Sequence, residues 1–128
     1  MVDEKTPALV AVVEDDVPSL VALGRLLRAG GFEPALFHSA EAFIDAPPDR
    51  PPLCLIVDVN LGGMSGIELQ RHLRQSGSAV PIIVTTGRRE EAIRIRAEAT
   101  GCTAFLWKPF AATTLLAVIA SIARRSHG

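Results

Sequence analysis

The sequence predicts an α/β fold, a parallel sheet with helices on both faces, from three observations. Short apolar runs alternate with stretches of helical hydrophobic spacing along the whole chain. The clearest runs, Leu9–Val13 and residues 53–57, lack the polar alternation of a sheet open to water, so helices must cover both their faces. Glycines and prolines sit at many of the boundaries between the two kinds of stretch. At 128 residues and 48% hydrophobic composition, the chain suits one domain, with its core expected over about residues 8–125.

The elements follow in order. Leu9–Val13 reads as a buried strand that stops at Glu14, Asp15 and Asp16. From Pro18 onward, Leu20, Leu23, Leu26 and Leu27 recur at helical spacing until Gly30 and Gly31 end the helix. Residues 33–38 form a weaker strand. Ser39 offers an N-cap to a short helix carrying Ala42, Phe43 and Ala46, which Pro47 and Pro48 close. A polar connector over 47–52 leads to the strand 53–57 and then Asp58. Gly62, Gly63 and Gly66 break the next loop, and Ile67, Leu69 and Leu73 mark a helix. Residues 80–84 form a fourth strand ending at Thr85, Thr86 and Gly87. A charged helix follows over about 90–100, then a strand over 103–107 and a last helix over about 111–123. Right-handed crossovers fold five strands and five helices into a three-layer sandwich.

Composition limits the function classes. Lys and Arg number 13 against 14 Asp and Glu, so the average field draws in neither nucleic acid nor an anionic membrane surface. No apolar run is long enough to span a bilayer, and the acidic opening does not read as a signal peptide. Cys54 and Cys102 lie in or beside apolar segments and are expected to be buried structural thiols, which fits a reducing, cytoplasmic compartment.

Chemistry collects beyond the carboxyl ends of the strands in such a sheet. Those positions hold Glu14 and Asp15, then Asp58, Thr86 and Lys108, all on one rim although distant in sequence. Crowded carboxylates repel unless a cation neutralises them. With only hard oxygen donors nearby, the expected ion is Mg²⁺, or Mn²⁺ in its place. Asp15 and Asp58 are the preferred ligands, with the backbone carbonyl of Asn60 as a third and Glu14 acting through water. Asp16 is expected to cap the first helix. A carboxylate so placed can accept a phosphoryl group, with the Lys108 ammonium balancing charge and the Thr86 hydroxyl bonding a phosphoryl oxygen. Strand alternation turns Thr85 away from Thr86.

These residues resemble the receiver domain of two-component response regulators over essentially the whole chain. The resemblance rests on residues 12–16 (VVEDD), 58–66 (DVNLGGMSG), 84–87 (VTTG) and 105–110 (FLWKPF), in that order and spacing. It implies a flavodoxin-like (βα)5 doubly wound sheet of strand order 2-1-3-4-5. It also implies that a sensor histidine kinase or histidine phosphotransfer protein passes a phosphoryl group to Asp58. Such receivers also phosphorylate themselves from small donors and hydrolyse their own aspartyl phosphate, without being conventional multiple-turnover enzymes. By the same resemblance Asp15 and Glu14 form the acidic metal-binding pair, and Thr86 and Phe105 form the switch. Arg88 and Asn60 flank the phosphoryl group, with Arg88 a modulator of its lifetime, and the Lys108–Pro109 bond is cis. The sequence departs from the family at Gly62, where proline is usual, and at Trp107, expected either to present a contact surface or to pack on the last helix.

The chain is most similar to chemotaxis-like stand-alone receivers and to receivers preceding DNA-binding modules of the nitrogen-fixation type. Read as complete, it acts by protein contact rather than on nucleic acid. Its expected output is a downstream protein or self-dimer engaged through the fourth helix, fifth strand and fifth helix. Read as a piece, it is the N-terminal part of a DNA-binding regulator. A receiver-like module that binds a partner without phosphorylation is a further alternative. Asn60 stands where an aspartyl-phosphate hydrolase needs an acid, which argues against that activity. The acidic first loop likewise argues against a cofactor-phosphate cradle.

Overall fold

The computed structural model describes residues 6–127; the acidic opening and Gly128 lie outside the described residues. The elements run β1 (Leu9–Val13), α1 (Val17–Ala29), β2 (Glu33–Phe37), α2 (Ala40–Asp45), β3 (Cys54–Asp58), α3 (Gly66–Gln75), β4 (Ile82–Thr86), α4 (Glu91–Ala99), β5 (Ala104–Trp107) and α5 (Ala112–His127). All strand pairs are parallel, and the sheet order is β2-β1-β3-β4-β5. The expected α/β architecture and strand order are therefore both present.

The pleat divides the core into two layers. Val10 and Val12 of β1, Cys54 and Ile56 of β3, and Ile83 of β4 pack against Leu20 and Leu27 of α1 and Leu115 and Ile119 of α5. Their neighbours Ala11, Val13, Leu55, Val57, Ile82 and Val84 pack on the other face, under α2, α3 and α4. Central strands buried on both faces explain why the sequence runs showed no polar alternation. Edge strand β2 is only half-buried, which accounts for its weaker pattern.

Helix ends follow local chemistry. The Asp16 carboxylate caps α1 by accepting the Ser19 N–H at 3.1 Å, and Ser39 caps α2 through the Ala42 N–H at 3.0 Å. Ser65 and Glu68 form a reciprocal capping box on α3. Gly31 and Gly101, at φ of 89° and 92°, follow the ends of α1 and α4 in a conformation that side chains resist. The bond between Lys108 and Pro109 is cis.

Several boundaries differ from the sequence reading, most by a residue or two, and those of β3, β4 and α5 are the most informative. Strand β4 begins at Ile82 rather than residue 80, because Pro81 has no N–H to give the ladder; its carbonyl accepts the Leu55 N–H at 2.9 Å. Strand β3 continues through Asp58 itself, which lies opposite Thr85. Helix α5 continues through His127, well past residue 123, and the Ser126 hydroxyl bonds the Ile122 carbonyl at 3.2 Å. Apolar spacing ends at Ile122, so periodicity cannot register the polar turn that follows.

Both cysteines are free; Cys54 is buried and Cys102 half-buried. Burial pushes the Cys54 thiol up to about 12, so it stays protonated and chemically quiet. No helix among the described residues is long and apolar enough to cross a membrane.

Gly66 has the tightest surroundings among the described glycines. A Cβ there would stand 2.3 Å from the Asp58 carbonyl oxygen and 2.9 Å from its carbon, so α3 starts directly against the backbone of Asp58. Backbone cannot yield as a flexible side chain does. Gly66→Ala is therefore expected to lower the unfolding free energy by roughly 2–3 kcal/mol, a typical overpacking cost. Gly62→Ala is the control, because a Cβ there meets only the Asp15 carboxylate at an ordinary 3.7 Å. Chemical-denaturation midpoints of the two variants check this; equal midpoints would show that α3 moves away freely.

Candidate functional site

Strands β1 and β3 are neighbours at the place where strand order reverses, so their carboxyl ends open into one crevice. The pleat then selects which side chains meet. Glu14 follows Val10 and Val12, Asp58 follows Cys54 and Ile56, and Lys108 follows Ala104 and Leu106, all in phase with the α1/α5 layer. The Lys108 ammonium donates to the Asp58 carboxylate at 3.1 Å and forms a second, shorter ion pair with Glu14. Strand β4 lies between β3 and β5, so Lys108 spans it to reach both carboxylates. The Lys108 N–H donates to the Thr86 carbonyl at 2.8 Å, which holds the lysine in register.

Burial sharpens the electrostatics. Glu14 is 2% exposed and Asp58 7%, while Asp15 stays exposed. Burial is the main cause that raises the Glu14 carboxyl above its ordinary value; the Lys108 bond opposes it and the Asp58 charge adds to it. For Lys108, burial disfavours the charge, but the Glu14 bond and the Asp58 charge outweigh it and hold the ammonium above its ordinary value. The second Glu14 oxygen accepts the Asp16 N–H at 3.3 Å.

Glu14, Asp15 and Asp58 each offer a carboxylate oxygen within 4.8 Å of the others. An all-oxygen, acidic donor set of this kind fits a hard divalent cation such as Mg²⁺. The Asn60 N–H donates to Asp58 at 3.2 Å, which fixes that segment beside the carboxylate.

On the opposite phase of the pleat stand Thr86, Phe105 and Trp107. Thr86 is fully buried; its hydroxyl accepts from the Asn60 side-chain amide at 3.2 Å and from the Arg88 N–H at 3.1 Å. Two bonds accepted leave its own proton to donate. Thr85 faces away from Thr86, as alternation requires. Phe105 packs on the α3/α4 layer and meets Trp107 edge to face, centroids 4.9 Å apart. The Arg89 guanidinium lies over the Trp107 ring at 5.8 Å. Trp107 thus turns toward the β4–α4 loop, and packing on the last helix is corrected: that helix lies under the other phase of β5.

The sequence-derived residues Asp15, Asp58, Glu14, Asn60, Thr86 and Lys108 converge in this crevice. Arg88 is different: its backbone serves Thr86, while its guanidinium pairs with Glu90 at 2.6 Å on the surface. Sequence reasoning missed the direct Lys108–Glu14 pair and Arg89. The signal for the pair was available, since counting by two from Val12, Ile56 and Leu106 lands on Glu14, Asp58 and Lys108.

The response regulator receiver domain family model matches residues 10–120. The chain is 35% identical over 122 residues to the transcriptional regulatory protein FixJ of Bradyrhizobium diazoefficiens, covering 95% of this chain and 60% of that protein. It is 42% identical over 120 residues to the phosphate regulon transcriptional regulatory protein PhoB of Rhizobium meliloti, covering 91% and 52%. The crystal structure of FixJ-N superposes with a TM-score of 0.84 at 31% identity, over 97% of this chain and 96% of that one. The chain spans roughly half to three fifths of the length of these curated relatives. A match this long, over a sheet rim built from these carboxylates, places the chain in the response regulator receiver domain family, as a phosphorelay receiver.

Proposed function

We propose that Asp58 accepts a phosphoryl group from a phosphohistidine of a sensor kinase or histidine phosphotransfer protein. The observation that carries this reading is the Lys108 ammonium bonded to the buried Asp58 carboxylate inside a three-carboxylate cluster. An Asp58 oxygen attacks phosphorus, the bond from phosphorus to the donor nitrogen breaks, and the neutral imidazole leaves with that electron pair. Lys108 balances the charge of the transferring group, and Thr86 donates its free proton to one of its oxygens. Asp15, Asp58 and Glu14 would hold Mg²⁺, with the Asn60 carbonyl as a further ligand. The bound ion neutralises charge among the carboxylates and the phosphoryl oxygens. Exposed Val17 and Val21 on α1 give a donor protein an apolar approach beside the crevice.

The output face in this reading is α4, β5 and α5. Helix α4 carries Arg94 paired with both Glu91 and Glu98, and an exposed Ile95. Phosphorylation draws the Thr86 hydroxyl toward Asp58, Phe105 turns into the vacated space, and a second copy or a downstream protein engages this face. The names of the relatives supply one destination, transcriptional regulation, if a DNA-binding module adjoins the receiver. Arg88 would shorten or lengthen the phosphorylated state by leaving Glu90 for a phosphoryl oxygen. The domain unit in this reading is the whole 1–128 span.

The central test is intact mass after treatment with acetyl phosphate and Mg²⁺. One phosphoryl group is expected on the wild type and none on Asp58→Asn; no gain with either a small donor or a cognate kinase would favour a binding-only module.

Mg²⁺ binds the folded cluster alone and relieves its repulsion, so millimolar Mg²⁺ is expected to raise the thermal midpoint. Asp15→Ala should erase that shift. An equal shift in both proteins would place the ion elsewhere.

Trp107 is the only tryptophan in the sequence and touches Phe105, so its fluorescence reports the switch. Beryllofluoride with Mg²⁺ is expected to change its emission in wild type and not in Thr86→Ala. An unchanged wild-type spectrum, with the mimic bound, would defeat the coupling.

A further inference from the structure

The loop between β3 and α3 carries two consecutive glycines, Gly62 and Gly63, directly after the segment that borders Asp58. Glycines lose the most conformational freedom on ordering, so this loop needs restraint from somewhere. The start of the loop is tied to β4, by the Val59 N–H to the Thr85 carbonyl at 2.9 Å and by the Asn60 side-chain amide to Thr86. Past Asn60, the hydrogen bonds among the described residues mostly stay inside the 58–69 segment, with the Leu61 and Gly66 N–H groups donating to the Val59 carbonyl and Ser65 exchanging bonds with Glu68. Over residues 61–65, where the glycines lie, one bond comes from outside. The Glu41 carboxylate, on α2, accepts the Met64 N–H at 2.9 Å. The same carboxylate lies against Gly63, where a Cβ would stand 2.5 Å from the Oε2 atom. On the loop's other side, Gly62 approaches the Asp15 carboxylate, at 3.7 Å from a Cβ placed there. The loop is thus bonded by Glu41 on one side and lies near the Asp15 carboxylate on the other.

We propose that Glu41 is a positioning residue for phosphoryl transfer, clasping the loop so that the Asp58–Asn60 segment is set for the divalent cation. This rests on the reading of Asp58 as phosphoacceptor and Asp15 as ligand. Glu41 touches no reacting atom. It acts through Met64 and Gly63 on Asn60, whose N–H bonds Asp58 and whose side chain bonds Thr86. The Met64 N–H bond is also the main cause that holds the Glu41 carboxyl below its ordinary value, so the clasp stays ionised. A surface glutamate placed only to favour the start of α2 would need neither the Met64 bond nor the contact with Gly63.

The test compares Glu41→Ala, Glu41→Gln and Gly63→Ala with wild type. Mg²⁺ affinity is read from amide shifts of Val59 and Asn60, and phosphorylation by acetyl phosphate is followed by intact mass. Gly63→Ala breaks the clasp independently, because its new methyl group displaces a flexible carboxylate rather than backbone. Glu41→Ala and Gly63→Ala are expected to weaken Mg²⁺ binding roughly three- to tenfold, the worth of one such hydrogen bond. Glu41→Gln should stay within about twofold of wild type, since its amide oxygen accepts the same bond. Wild-type Mg²⁺ affinity in both Glu41→Ala and Gly63→Ala would overturn the proposal. Glu41→Gln as weak as Glu41→Ala would overturn it too, by assigning the effect to charge. Weakened Mg²⁺ binding in a protein that never gains a phosphoryl group would sink the phosphoacceptor reading and leave the clasp standing.

Discussion

Negative charge gathered at the ends of two adjacent strands is the constraint around which the rest of this molecule is arranged. Glu14 and Asp58 sit at the top of an apolar sheet, both nearly buried, with Asp15 within one ion's reach of them. Such a cluster is unfavourable by itself, and the fold meets that with Lys108, which crosses β4 to pair with both buried carboxylates. A buried ion pair is weak evidence for stability, because desolvation offsets much of the attraction. The cluster's value in the proposed function is therefore a poised site: a fixed cation beside the Asp58 carboxylate, with oxygens left over for a divalent ion. Apolar strands buried on both faces make that placement rigid, and the close approach of Gly66 to Asp58 pins the acceptor from below.

The pleat separates two jobs at one rim. Glu14, Asp58 and Lys108 follow the α1/α5 phase, whereas Thr86, Phe105 and Trp107 follow the α3/α4 phase. Asn60 joins them, since its backbone bonds Asp58 and its side chain bonds Thr86. Asn60 is thus a direct hydrogen-bonded link between Asp58 and Thr86. Thr86 accepts two bonds and keeps its proton, which makes it a donor in waiting and not a spent surface hydroxyl.

Most of the fold was legible in the sequence because its signals are local. Uniform apolar runs named the central strands, capping residues named the helix starts, and the ends of the runs named the rim. Unpatterned segments were less legible: the last turn of α5 is polar, and Pro81, which has no N–H for the ladder, put the start of β4 two residues later than the apolar run suggested. The site's inventory was also readable, since Asp58, Asp15, Glu14, Thr86 and Lys108 all follow strand ends. Contacts between distant segments were not. Glu41 and Met64 lie 23 positions apart on different elements, and nothing in either local pattern announces their bond. The orientation of Trp107 was open for the same reason, although counting along β5 places it on the phase of Phe105.

That orientation gives this receiver a bias of its own. In the proposed switch Phe105 leaves its resting position, yet here it stands edge to face with Trp107, and Arg89 covers the other ring. An aromatic pair contributes about 0.5–1.5 kcal/mol beyond its burial, and an exposed cation–π contact about 0.5–1 kcal/mol. Arg89 belongs to the β4–α4 loop, so its contact ties that loop to β5, while the aromatic pair lies within β5 itself. If the proposed switch breaks both, they would favour the resting arrangement by roughly five- to sixtyfold, at about 1.4 kcal/mol per factor of ten. A ligand shifts a two-state equilibrium only by its differential affinity for the two states. In the proposed switch the phosphoryl contacts with Thr86 and Lys108 would have to exceed this bias before the output face changes. In that reading a tryptophan directly before Lys108 would favour the unphosphorylated arrangement from the Thr86 phase of the sheet, while Asp58 and Lys108 stand on the opposite phase.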